Sequence, residues 1–160
     1  MERIDRILRN PVFQEHVAKN QAAEAGRCFC RHDMEHFLAV ARIGLILNLE
    51  ENLGISKELI YAAALMHDLG RHRQYLEGIP HEAAGGEIAP IILQECGFAP
   101  WERSLIVDAI MRHRDSESSE RADLGGLLYR ADKLSRPCFC CGVSGECNWK
   151  QEKKNLSIRY

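Results

Sequence analysis

No apolar run in this chain approaches the length of a membrane span or a signal h-region, and Met1 to Asn10 is charged rather than apolar. Neither a membrane segment nor a secretory leader is expected, and a cytoplasmic protein is. An excess of basic charge is also lacking: at a formal net charge of −2 there is no electrostatic footprint for duplex nucleic acid. A small phosphorylated ligand stays compatible with that charge. Cysteine does not occur in an even number, and seven thiols fit free or metal-bound side chains in a reducing compartment better than a disulfide framework. No convincing β alternation and no internal repeat are found.

What the chain does contain is helix punctuation. With 160 residues and 46% hydrophobic content it is long enough for one core and too short for two comfortable domains. Helices are expected over Arg3 to Arg9 and Val12 to Ala25, separated by Asn10-Pro11, and from an Asp33 cap to about Leu53. A central helix, capped by Ser56 and stopped by Gly70, carries Ala62-Ala63-Ala64-Leu65-Met66-His67-Asp68. Arg71 to Pro80 is polar, charged and ends in Gly78-Ile79-Pro80, so it reads as a loop over a cleft. His81 to Cys96, Pro100 to His113 and Asp123 to Lys133 complete an all-α, compact helical bundle. Residues 1–134 form the helical domain, and 135–160 a cysteine-containing tail packed on it.

The ligand-type residues fall on the apolar stripes of these helices. His67 shares a face with Ile60 and Ala63 or Ala64; His36 with Val40, Ile43 and Leu47; His81 with Ala84, Ile88 and Ile92. His113 lines up with Ile110, Ala109 and Ile106, and Asp132 with Leu128 and Gly125. A lone inward histidine is ordinarily a core residue with a satisfied hydrogen bond. Six inward polar groups on five helices would need six private partners, whereas one or two shared cations satisfy them together. Imidazole and carboxylate ligation without thiolate suits Fe, Mn, Co, Ni or Zn, one or two per chain, rather than a calcium cage or a closed structural zinc. Such a metal, or a pair roughly 3.5–4 Å apart, brings bound water toward a pKa of ~7 and clamps phosphoryl oxygens, which makes phosphoester hydrolysis its natural use.

His36 within Arg31-His32-Asp33-Met34-Glu35-His36, the doublet His67-Asp68, and Asp132 within Tyr129-Arg130-Ala131-Asp132-Lys133-Leu134 resemble the H…HD…D signature of the HD-domain superfamily of metal-dependent phosphohydrolases. The likeness runs from about Arg31 to Arg136. It implies an all-helical, metal-centred fold with His36, His67, Asp68 and Asp132 as the ligands of a first metal, and with His67 and Asp68 at the catalytic heart. His81 and His113 fit the two extra histidines of the binuclear branch, in which the HD aspartate bridges two metals. The GYP motif of the cyclic-di-GMP phosphodiesterases is absent from this chain.

Arg71, His72 and Arg73, directly after the doublet, and Lys133, beside Asp132, are candidates to hold substrate phosphate. His16 and His32 are expected at the surface or behind the ligands, His32 orienting His36 from one turn before it. Glu35, Glu77 and Glu82 receive no role. Cys138, Cys141 and Cys147, with Cys30 or Cys28, are candidates for a four-thiolate zinc position pinning the tail. The expected activity is hydrolysis of a small phosphoester of the nucleotide class. A di-iron oxygenase of the same fold and a metal-stabilised, non-catalytic sensor are the alternatives.

Overall fold

Three of the helices begin where a side chain serves the backbone N–H groups that a helix start leaves unpaired. The computed structural model describes residues 1–160 as eight α-helices with no strand: α1 Glu2–Arg9, α2 Pro11–Ala23, α3 Met34–Glu50, α4 Lys57–Met66, α5 Arg71–Glu77, α6 His81–Glu95, α7 Pro100–Arg112 and α8 Leu124–Leu134. Asn10 accepts from the N–H groups of Val12 and Phe13, with Pro11 in the first turn of α2. Asp33 and Asp123 do the same for α3 and α8, accepting from His36 and Gly126. Ser56 opens α4 without a side-chain cap bond.

α4 occupies the middle, touching α1, α3, α6, α7 and α8. Its run Ala62-Ala63-Ala64 is fully buried, and small side chains let the neighbours approach on all sides. A single apolar cluster runs from Ile4 to Ala131. Within it, large side chains such as Phe37, Leu65, Ile92 and Ile106 each contribute about 1.5–3 kcal/mol on burial.

The expected loop from Arg71 is a correction. Residues Arg71–Glu77 form α5, which packs between α2 and α6. Too short and polar to show an apolar stripe, it ends at Gly78, whose φ of 73° is left-handed. Gly70 is not that stop, since its φ is −83°. Its role is close approach: a Cβ there would stand 2.6 Å from Ala84 Cβ and 2.7 Å from the His81 carbonyl oxygen. Gly70 thus lets the turn after α4 lie against the start of α6.

The tail contains only two short 3-10 turns, Cys138–Cys140 and Gln151–Lys153. Asn155 helps hold it to the bundle, its side-chain amide donating to the carbonyls of Lys133, Leu134 and Arg136 at 2.8, 3.2 and 2.9 Å, at the C-terminal end of α8. No helix is long and apolar enough to cross a membrane.

Candidate metal centre

The six ligand-type side chains come from helix ends that meet at one end of the bundle. His36 sits in the first turn of α3, His67 caps the C-terminus of α4 with Asp68 next to it, His81 opens α6, His113 caps α7, and Asp132 lies in the last turn of α8. All six are buried. His36 Nε2 lies 3.3 Å from His67 Nε2 and 3.3 Å from Asp132 Oδ1. Asp68 Oδ2 stands 3.2 Å from His67 Nε2 and 3.6 Å from His36 Nε2. The other oxygen, Asp68 Oδ1, faces His81 Nε2 at 3.0 Å and His113 Nε2 at 3.7 Å, and those two nitrogens are 3.1 Å apart. Two groups result, one of His36, His67, Asp68 and Asp132 and one of Asp68, His81 and His113, each with its donor atoms within 4.8 Å of one another. Asp68 is common to both.

The far nitrogens decide what these groups can hold. His67 Nδ1 lies 2.7 Å from the Ala64 carbonyl, His113 Nδ1 2.6 Å from the Ile110 carbonyl, and His81 Nδ1 2.5 Å from Gln74 Oε1. A carbonyl oxygen only accepts, so each Nδ1 carries the hydrogen, and Nε2 is the nitrogen left facing inward, with a lone pair whenever the ring is neutral. Neutral rings facing each other at 3.1–3.3 Å beside carboxylate oxygens set acceptor against acceptor, which a proton or a cation among them relieves. Nitrogen and carboxylate donors with an orienting bond behind each imidazole are the usual surroundings of a divalent transition metal. The residues present fit such a metal.

A model of the HD domain matches residues 33–136. The chain belongs to the HD-domain family. An "Uncharacterized protein" of Clostridium beijerinckii (strain ATCC 51743 / NCIMB 8052) is 44% identical over 160 residues, covering 100% of both chains. No solved structure matches. HD domains are a superfamily of metal-dependent phosphohydrolases, and the all-α fold of this chain is theirs.

Electrostatics within the HD domain follow from who faces whom. Burial alone would lower His67, but Asp68 and Asp132 outweigh it and raise its pKa to about 9. His81 moves the other way, to about 4, because burial dominates and Asp68, which faces its Nε2, is shared with Arg71 and His113. Burial pushes Asp68 and Asp132 up, yet the surrounding imidazoles and cations hold both carboxyls well below the usual range. A proton on His67 therefore has to leave before a cation takes its Nε2, so metal uptake is linked to proton release.

Of the four candidates for holding phosphate, two stand at the centre. Arg71 Nε donates to Asp68 Oδ1 at 3.0 Å, and Lys133 Nζ to Asp132 Oδ2 at 2.6 Å. His72 does not join them. It is buried between α2 and α5, its Nε2 2.8 Å from His16 Nδ1 and its backbone N–H bound to Asn20. Arg73 points to the surface and pairs with Glu77 and Glu87. The helical turn of α5 separates these consecutive residues, which a loop would not have done. The thiolate position expected from Cys138, Cys141, Cys147 and Cys30 is not assembled either. No three thiols gather within 4.8 Å, all seven cysteines are free, and Asn155 anchors the tail instead.

Several residues of the centre escaped the sequence reading. Arg136, buried, donates from Nη2 to Asp132 Oδ1 at 3.3 Å, one helical turn after that aspartate. Its i+4 spacing was the available signal. Ser135 Oγ lies 3.2 Å from His36 Nδ1. Gln74 lies on α5, whose short polar sequence shows no helical stripe, and Glu24 carries no pattern at all. His32, expected at the surface or behind the ligands, is buried behind them, and its Nε2 lies 3.7 Å from Asp68 Oδ2.

Proposed function

We propose that this HD domain hydrolyses a small phosphoester of the nucleotide class, with one or two divalent transition metals held by His36, His67, Asp68, Asp132, His81 and His113. The observation that carries the reading is the carboxylate of Asp68, which turns Oδ2 to one ligand group and Oδ1 to the other. A bound metal supplies Lewis acidity toward phosphoryl oxygens and acidifies water for attack.

The chain's own residues do the rest. Arg71 uses only Nε on Asp68, so its terminal nitrogens stay available for a phosphate oxygen. Lys133 spends one bond on Asp132 and retains two donors. Arg136, buried against His36 and Asp132, adds positive charge where an anionic substrate approaches.

The test is protein stripped of metal, reloaded separately with Mn, Fe, Co, Ni or Zn, and offered a panel of nucleotides and phosphodiesters. Metal-dependent phosphate or phosphoester cleavage that vanishes in Asp68→Ala is expected. Oxygen consumption by the iron-loaded protein with no phosphoester cleavage would replace the reading by an oxygenase, and saturated metal with neither reaction by a non-catalytic sensor.

A further inference from the structure

His32 is a buried imidazole at the centre that belongs to neither ligand group. It precedes α3, and Glu24, which caps the C-terminus of α2, binds it twice. Glu24 Oε2 accepts from the His32 backbone N–H at 2.7 Å, and Oε1 accepts from His32 Nδ1. Tyr75 from α5 donates to the same Oε1 at 2.7 Å. Glu24 and His32 are 3% and 5% exposed, which places a carboxylate and an imidazole deep in the fold with no role in its core.

The tautomer follows from this pairing. A carboxylate only accepts, so the hydrogen of His32 is on Nδ1 and Nε2 carries a lone pair. That Nε2 makes no hydrogen bond within the chain; the charged oxygen it faces, Asp68 Oδ2 at 3.7 Å, is itself an acceptor. Two acceptors held side by side leave a place for a donor. Direct ligation is disfavoured, because donors to one metal at about 2.1 Å stand no more than ~4.2 Å apart. His32 falls outside the set of atoms that meet within 4.8 Å around His36, His67 and Asp132.

We propose that His32 is a further catalytic residue of this HD domain: its Nε2, fixed by Glu24, accepts a hydrogen bond from the water beside Asp68 Oδ2 and orients it toward substrate. No proton is transferred in this role. The imidazole sets the direction of the water's lone pair, and Glu24 with Tyr75 sets the direction of the imidazole. The catalytic consequence rests on the hydrolase reading, but the geometry does not.

Nitrogen NMR of the zinc-loaded protein tests the geometry. A pyridine-type His32 Nε2 that moves on addition of inorganic phosphate is expected, while a pyrrole-type Nε2 would overturn the proposal. Turnover of bis(p-nitrophenyl) phosphate tests the consequence. His32→Leu should lower kcat by roughly 10- to 100-fold with KM and metal content unchanged, and His32→Gln, whose amide oxygen can accept, should recover part of the loss. Unchanged kcat, or metal lost in step with activity, would overturn it. Should the leucine variant fail to fold, the glutamine variant and the nitrogen spectrum decide. A protein inactive on every phosphoester removes the hydrolase reading, and the spectrum alone then judges His32.

Discussion

Asp68 is the residue on which the two ligand groups depend, because only a carboxylate has two equivalent oxygens to turn in two directions. Asp68→Asn keeps the shape but removes the charge and one acceptor, so metal affinity is expected to fall at least 10-fold in both positions. Metal analysis after dialysis against graded metal checks this, and an asparagine variant with full occupancy would refute it. Glu24 gives a pH dependence. Burial would raise its carboxyl, but His32 and Tyr75 hold it near 2, below an ordinary 4.5. Over that interval the folded state binds fewer protons than the unfolded chain, so stability present above about 4.5 is lost as pH falls toward about 2. Glu24→Gln should flatten this acid limb in denaturation followed against pH. At this scale the ligands were legible because each shares an inward face with apolar neighbours. Glu24, Gln74 and Arg136 were not, since a polar residue that serves another polar residue across the fold leaves no periodicity in its own segment.

Helices set the precision of the centre, since most of the ligands sit within one turn of a helix end. The turn between α4 and α5 has no room for a side chain at position 70: an added Cβ meets Gly85 N and the His81 carbonyl of α6, both backbone, at 2.7 Å. Gly70→Ala should destabilise by roughly 1–3 kcal/mol and loosen the group of Asp68, His81 and His113, because the strain falls on His81. Thermal unfolding and metal stoichiometry read the two effects separately. Asn155→Ala should release the tail at a cost of about 1 kcal/mol, visible as faster amide exchange after Leu134 with the centre intact. The Asn10-Pro11 break and the Asp33 and Asp123 caps make the starts of α2, α3 and α8 readable from sequence, because each is a local signal. α5 was not readable, because packing against α2 and α6 rather than its own pattern makes it helical. The tail's anchors are equally silent in sequence: Ser135, Arg136 and Asn155 tie it to the bundle, and its cysteines do not converge.

For the whole molecule, the buried carboxylates and inward lone pairs of the centre are an electrostatic burden that a metal relieves. Chelation is therefore expected to destabilise the fold as well as stop the reaction. At metal 100-fold above its Kd the linkage is worth about 2.7 kcal/mol. In a chain of this length that corresponds to about 2–4 °C in Tm per kcal/mol. A melt in chelator that matches the metal-loaded melt would contradict the linkage. The most direct measurement of the central claim, that Asp68 joins two metal positions, is anomalous scattering from crystals of the manganese-loaded protein. Two peaks roughly 3.5–4 Å apart are expected, one bonded to His36, His67, Asp68 and Asp132 and the other to Asp68, His81 and His113. A single peak with His81 and His113 turned away from it, or no peak within bonding distance of Asp68, would contradict the claim.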